Sequence, residues 1–305
     1  MNREIFTQSR KQILNCQIQD ESGLNDFQKL PNDCGTPIPK VGIERFRLPI
    51  IYRTSEGIRS HDASVSAFVY LDAKKTGVNM SRFCQILQKT SSEFAVNENL
   101  ISETLSSIRS ELRDHQDESL IKNAHVQFDF SYPLKQRSLK SDNWGWQYYD
   151  CSFAGVENQT GEITYSLTLN YEYSSTCPCS LSMSKQYEKE FREGETREGN
   201  GVATAHSQRS LATITVNYKD FSKVSLETLI DKIRQAIPTE TQSLVKRVDE
   251  QAFAILNGDY PIFVEHASRR IASVLNDYVG VESWSAKISH FESLHSHNAV
   301  AYIHS

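Results

Sequence analysis

Thr164-Tyr165-Ser166-Leu167-Thr168-Leu169-Asn170-Tyr171-Glu172-Tyr173 sets an apolar residue at every second position, and Ser174-Ser175-Thr176-Cys177-Pro178-Cys179-Ser180 follows directly. A period of two is that of a β-strand burying one face. Pro178 has no N–H to give to a ladder, so the pattern predicts that Cys177 and Cys179 stand on a turn at the mouth of a sheet. That position suits a metal ligand or a reactive sulfur.

On the C-terminal side, Lys185 to Asn200 is rich in Glu, Arg and Gly and reads as a solvated loop or short helix. A second alternating strand runs from Leu211 to Tyr218. Helical spacing follows at Leu226 to Ile237, Ser243 to Leu256 and Ile262 to Leu275, and two strands close the chain, Ser283 to Phe291 and Ala299 to Ile303. On the N-terminal side, Glu44 to Arg53 and Ala63 to Asp72 read as a hairpin. Phe83, Ile86 and Leu87, then Leu100, Leu105, Ile108 and Leu112, describe two amphipathic helices, and extended chain returns at His125 to Tyr132 and Trp144 to Val156.

The first half thus reads strand-strand-helix-helix-strand-strand, and the second is expected to repeat it. The fold class is α+β: an arm at 1–36 without hydrophobic period, then two tandem antiparallel-sheet modules at 37–158 and 159–305, each with helices packed on one face.

A chain of 305 residues that is 38% hydrophobic can bury a full core. Its formal charge of -5 gives no basic footprint of a nucleic-acid binder. The first ten residues lack the apolar core of a signal peptide, and no stretch approaches the ~18 apolar residues of a membrane span. The expected location is cytoplasmic, with neither nucleic acid nor membrane as partner. Six cysteines in so long a chain make no disulfide framework, so Cys-Pro-Cys reads as catalytic, metal-binding or redox-active. Cys16, Cys34, Cys84 and Cys151 have no His or Cys at ligand spacing and receive no role.

Five polar clusters stand out: Cys177-Pro178-Cys179; His206-Ser207-Gln208-Arg209-Ser210; Lys246-Arg247-Val248-Asp249-Glu250; Phe263-Val264-Glu265-His266; and Phe291-Glu292-Ser293-Leu294-His295-Ser296-His297. Cys, His and Glu are all ligands zinc accepts, and a catalytic ion takes three and keeps a place for water; Cys177, His206 and Glu250 would make such a set. Singly, each has a plainer reading. A lone His before a strand is usually a surface or hydrogen-bonding residue. Asp249 and Glu250 in a helical pattern are usually a solvated face. Glu265, preceded by Ile262, Phe263 and Val264, is expected to be buried. His295 and His297 are expected at a strand entrance, on one face. Gly258 and Pro261 break the helical pattern between Glu250 and Glu265, so spacing alone does not bring the two carboxylates together.

Taken together, these stretches resemble the type IB GTP cyclohydrolases. The resemblance rests on Pro39-Lys40-Val41-Gly42-Ile43, Met80-Ser81-Arg82-Phe83, Ser175-Thr176-Cys177-Pro178-Cys179-Ser180, His206 to Ser210, Lys246-Arg247 with Asp249-Glu250, Phe263-Val264-Glu265 and Phe291 to His297, in the right order from about residue 37 to the end. It implies a tunnelling fold with two modules per subunit, and a homotetramer with active sites at subunit interfaces. It implies Cys177, His206 and Glu250 as ligands of a divalent ion, zinc or manganese, with iron a further candidate. It implies Glu265, His295 and His297 as the acid/base group, Cys179 as a second active-site thiol and Glu292 as the carboxylate that anchors guanine. Arg82, Arg209 and Lys246, with Arg247, are the candidate cations for the triphosphate, Arg82 and Arg209 ranked first because they lie in matching motifs. Two departures stand out: His266 takes the place of an acidic residue after Phe-Val-Glu, and the segment from Ser180 to His206 is long and strongly charged.

The implied reaction turns GTP and water into 7,8-dihydroneopterin triphosphate and formate, the first step of folate synthesis. A divalent ion supplies hydroxide near neutral pH, a His protonates N7 to make C8 electrophilic, and Glu265 shuttles protons through formate release and ring closure. A carboxylate such as Glu292 can accept from both N1–H and the exocyclic amine of guanine, a pattern adenine lacks. Two other readings compete: a nitrile reductase of the same superfamily, which requires a nicotinamide, and a non-catalytic zinc-stabilised interaction protein, which requires a closed set of four ligands.

Overall fold

The computed structural model describes residues 10–19, 22–30, 35–54, 56–96, 99–112 and 123–305. Much of the N-terminal arm, Cys34 included, lies outside the described residues. The strands form one eight-stranded sheet in chain order, β1 to β8. The chain gathers into two compact units, Met1–Phe128 with Ala154–Ile163, and Asp129–Phe153 with Thr164–Ser305.

In the first unit, β1 (Ile38–Thr54) and β2 (Gly57–Leu71) form a long antiparallel hairpin. β1 begins six residues before the expected Glu44, taking in Pro39, which an edge strand tolerates because its missing N–H faces no neighbour. The register shifts between Ile43 and Phe46, where Arg45 has φ 59°. Gly42 lies against the facing backbone: a Cβ there would stand 1.9 Å from the Ala67 carbonyl oxygen. Helices α1 (Met80–Glu93) and α2 (Leu100–Glu111) bury Phe83, Ile86 and Leu87, and Leu100, Ile101, Leu105 and Ile108. Buried hydroxyls of Thr90 and Thr104 meet at 2.9 Å between them. Arg82 Nη1 donates to the Glu111 carbonyl at 2.7 Å, and Arg109 pairs with the nearly buried Glu157.

Strands β3 (Ala124–Arg137) and β4 (Trp144–Glu157) are shared between the units. The second unit continues with β5 (Ile163–Thr176), α3 (Pro178–Glu193), β6 (Ser207–Tyr218), α4 (Leu226–Ala236), α5 (Arg247–Asp259), α6 (Val264–Asn276), β7 (Ser283–His290) and β8 (Ala299–His304). The alternation that opened the sequence is realised: Leu167, Leu169, Tyr171 and Tyr173 of β5 and Ala212, Ile214, Val216 and Tyr218 of β6 are fully buried. Helices α4 and α6 set Leu226, Leu229, Ile230 and Ile233, and Ala267, Ile271 and Leu275, into the core, and α6 packs on β7 and β8. Elsewhere on β4, Trp144 and Tyr148 are 61% and 62% exposed.

The polar stretch from Lys185, expected as a loop or short helix, is helical as far as Glu193: α3 runs sixteen residues to a left-handed Gly194 at φ 80°, and the second half therefore has one helix inserted between its first strands and three after them. Two expectations change. The expected turn at Cys-Pro-Cys is the start of this helix, because a proline with fixed φ and no N–H fits the first helical position as well as it fits a turn. The helix expected from Ser243 begins at Arg247, because Ser243 N–H goes to Gln136 Oε1 at 3.1 Å and Lys246 N–H to the Asp249 carboxylate at 2.8 Å, which makes Lys246 the N-cap. The segment before it bonds to β5: Ser174 N–H donates to Thr239 O at 2.8 Å and Thr241 N–H to Glu172 O at 3.2 Å.

Gly42→Ala forces the β1–β2 hairpin apart where backbone meets backbone. The expected loss is about 1–3 kcal/mol or more, the cost of overpacking, read as a lower urea midpoint; an unchanged midpoint would show that the hairpin yields there at no cost.

Candidate active site

The site grows from the open end of the β5–β6 ladder, where Tyr173 pairs with Ser210, Ser175 with Gln208 and Thr176 with Ser207. One step further, Cys177 N–H donates to His206 O at 3.1 Å. Alternation then sets Tyr173, Ser175 and Cys177, with Ser210, Gln208 and His206 opposite them, on one face. A polar chain runs along it. Ser210 and Ser175 hydroxyls meet at 2.8 Å, Gln208 Nε2 donates to Ser175 Oγ at 2.8 Å, and Gln208 Oε1 lies 3.0 Å from His206 Nδ1. Glu292 Oε2 lies 3.8 Å from the same nitrogen, with the Glu292 side chain only 14% exposed.

Cys177 is the N-cap residue of α3, half-buried, and its thiol caps none of the helix N–H groups; Cys179 is exposed in the first turn. Ser180 Oγ accepts from His206 N–H at 3.2 Å, tying α3 back to β6.

Beside this face is a cavity of about 470 Å³ lined by Tyr173, Gln208, Arg209, Thr241, Gln242 and Glu250, among others. Glu250 reaches it from the first turn of α5. The turn is fixed by Asp249, which is not on a solvated face as its sequence context predicted: it is fully buried and accepts from the N–H groups of Lys140, Ser141 and Lys246 at 2.8–2.9 Å. Burial works to raise its pKa, but these hydrogen bonds from Ser141, Lys246 and Lys140 outweigh it and hold the carboxyl at about 2. Glu250 itself is exposed. Arg209, on β6, stands 3.9 Å from Glu172 and is mostly exposed. Lys246 is the N-cap residue of α5, between Val245 and the Glu250 turn.

The remaining expected groups make no hydrogen bond to the polar chain on this face. Glu265 was expected to be buried; it is exposed, because Val264 and Ala267 take the inward positions of the first turn of α6 and leave Glu265 outward. It is nevertheless near enough to His290 to act on its charge. His290 is buried, hydrogen-bonded through Nε2 to Tyr173 OH at 2.8 Å, and burial lowers its pKa to about 4 against the opposing pull of Glu265. His295 and His297 lie in the bends between β7 and β8, exposed, with rings stacked at 4.9 Å. His266 packs its ring on Phe263 at 5.6 Å. Arg82 belongs to the first unit.

Among the described residues, no three His, Cys, Asp or Glu side chains are gathered closely enough to hold an ion. Of the three ligands the resemblance implies, the single chain brings Cys177 and His206 together, while the exposed Glu250 on α5 does not join them. The parts that Gln208, Asp249, Tyr173 and His290 play here were missed from sequence. His290 was legible: it continues the buried alternation of Trp284, Ala286 and Ile288.

Residues 24–301 match the family model described as type I GTP cyclohydrolase folE2. The chain belongs to this family. It is 41% identical over 267 residues to a protein named GTP cyclohydrolase FolE2 from Cereibacter sphaeroides, covering 87% of this chain and 70% of that one. A protein of the same name from Dinoroseobacter shibae is 40% identical over 290 residues, covering 93% and 74%. Among solved structures, a uricase from Arthrobacter globiformis aligns with TM-score 0.51 at 9% identity over 87% of this chain and 92% of that one, a likeness of fold alone, and the fold is the tunnelling fold.

Because Asp249 titrates lower in the folded chain than its ordinary value of 3.8, its stabilisation is complete above pH ~4 and fades as pH falls through about 2. Asp249→Ala should lower the urea midpoint at pH 7 and flatten the acid limb of the stability curve; a wild-type acid limb would show that the carboxylate does not hold α5.

Proposed function

We propose that this chain is a divalent-metal-dependent GTP cyclohydrolase that forms 7,8-dihydroneopterin triphosphate and formate, the first step of folate synthesis. The observation that carries the reading is the family match over residues 24–301, joined to a cavity that has both an acidic and a basic side chain, Glu250 and Arg209, in its wall.

Cys177, His206 and Glu250 would hold the ion, zinc or manganese with iron a further candidate. The donor types suit it, and Cys177 and His206 are already neighbours, so Glu250 is the ligand that would have to turn inward from α5. A bound ion supplies an activated water and neutralises charge.

The residues of the chain account for the remaining work. Glu292 accepts hydrogen bonds from N1–H and the exocyclic amine of guanine. Arg209 and Lys246 meet the triphosphate, with Arg82 a further cation; arginine matches phosphate oxygens with a planar fork. His295 or His297 protonates N7, which makes C8 open to water and lets the imidazole ring open. A second water releases C8 as formate, and Glu265 carries protons in that step, in the ribose rearrangement and in the ring closure that returns a water. Cys179, exposed beside Cys177, is the second thiol of the site. The working form is a homotetramer with active sites at subunit interfaces; the exposed Trp144 and Tyr148 of β4 are surface that such an interface would cover. The protein works in the cytoplasm; no helix among the described residues is long and apolar enough to cross a membrane.

Incubation of the purified protein with GTP and added zinc or manganese should release formate together with a pterin that fluoresces after oxidation, and chelation should abolish both. No formate with any divalent ion would overturn the reading, and absorbance loss from NADPH instead would assign the nitrile-reductase class. Glu265→Gln should slow formate release by about 10²–10⁴-fold at unchanged thermal stability, the usual weight of a general acid/base; near-normal release removes Glu265 from proton transfer. Glu292→Ala should raise KM for GTP far more than it shifts the melting temperature, and an equal loss of both would make Glu292 structural.

A further inference from the structure

Gln208 has no role among the residues implied by the resemblance, yet it is a firmly anchored polar side chain on the ladder face. It is 8% exposed, lines the cavity, and is held at its amide nitrogen by Ser175 Oγ at 2.8 Å, whose hydroxyl is in turn 2.8 Å from Ser210 Oγ. That grip leaves its amide oxygen 3.0 Å from His206 Nδ1. A second oxygen faces the same nitrogen, Glu292 Oε2 at 3.8 Å.

An amide oxygen and a carboxylate oxygen can only accept hydrogen bonds. The ring nitrogen between them must therefore carry the hydrogen. Turning the Gln208 amide over would give Nδ1 a donor, but it would then set the bare lone pair of Nδ1 against the Glu292 carboxylate. Neutral imidazole has one N–H and one lone pair, and the bond made by one nitrogen decides what the other offers. With hydrogen fixed on Nδ1, the lone pair is on Nε2.

We propose that Gln208, braced by Ser175 and Ser210, is a positioning residue that fixes His206 as its Nδ1–H tautomer, so that Nε2 presents its lone pair to the site. The inference deepens the proposed function and rests on His206 belonging to that site. An outer hydrogen bond of this kind orients a ligand imidazole and strengthens its donor nitrogen, and its loss typically weakens metal binding about 10–100-fold.

The test is read first in metal-free protein labelled with ¹⁵N-histidine, at a pH where the imidazole is neutral. Wild type should show His206 with a protonated Nδ1 and an unprotonated Nε2; the opposite tautomer overturns the proposal with no variant needed. Gln208→Leu, which fills the space without an acceptor, should lose that signature and bind zinc about 10–100-fold more weakly by chelator competition. Gln208→Glu keeps an oxygen at the same reach and should restore the signature. A Gln208→Leu protein with wild-type melting, wild-type tautomer and wild-type zinc affinity overturns the proposal. Failure of wild type to bind zinc or release formate defeats the metal-dependent reading instead, because the tautomer is measured without metal or GTP.

Discussion

The pairing of β5 with β6 is the interaction on which the rest depends. One face of that ladder buries Leu167, Leu169, Tyr171 and Tyr173 against Ala212, Ile214, Val216 and Tyr218, each large side chain worth about 1.5–3 kcal/mol for leaving water. A slip of one residue would turn all of them outward, so the register is set by burial. The same register, carried past the last apolar pair, brings Cys177 beside His206 and stacks Ser175, Gln208 and Ser210 behind them. Alignment of the candidate site is thus inherited from the hydrophobic core beneath it.

The stretch that bonds to β5 and gives Thr241 and Gln242 to the cavity wall has a polar anchor instead. Glu240, 2% exposed, accepts from Gln136 Nε2 and Arg234 Nε at 2.9 Å each and from Tyr149 OH. Gln136 Oε1 also accepts from Ser243 N–H at 3.1 Å. Burial and the Glu240 charge push the Tyr149 hydroxyl far above its ordinary value, keeping it a donor. At Arg234 burial opposes the charge, but the hydrogen bond and charge of Glu240 more than offset it and raise its pKa. Satisfied on so many sides, the network fixes Thr239 to Ser243, and with them Thr241 and Gln242 in the cavity wall. A wall built from apolar packing alone would not specify where these two side chains point.

The sequence made the strands legible because burial on one face writes a period of two, and it made α1, α2, α4 and α6 legible because each buries one apolar stripe. It left α3 undecided between a loop and a short helix for the same reason. None of that helix's sixteen residues is buried, so no stripe marks it, and Pro178 speaks equally for a turn and a first helical residue. Asp249 was read as solvent-facing because a carboxylate in a helical pattern usually is; the partners that bury it, Lys140 and Ser141, lie over a hundred residues away, beyond any local window. Glu265 erred in the other direction. Ile262 and Val264 before it are buried, but the second position of the helix turns away from the inward row that Val264, Ala267 and Ser268 form, and an acidic residue there is favoured by the helix dipole without any need for a core partner.

What the resemblance added was the selection of residues, and the structure sorts that selection by depth. His206 and Glu292 are largely covered and held by neighbours, whereas Glu250, Glu265, His295, His297 and Arg209 are exposed in the single chain. Groups that must orient a base or an ion can be set by the fold of one chain. Groups that must exchange protons with a substrate in a dry environment need cover, because bulk water screens their charges and competes for their protons. An exposed acid/base set beside a half-formed ligand set is what one chain of an interfacial site would present, with the closing surface supplied by a second copy in the proposed assembly.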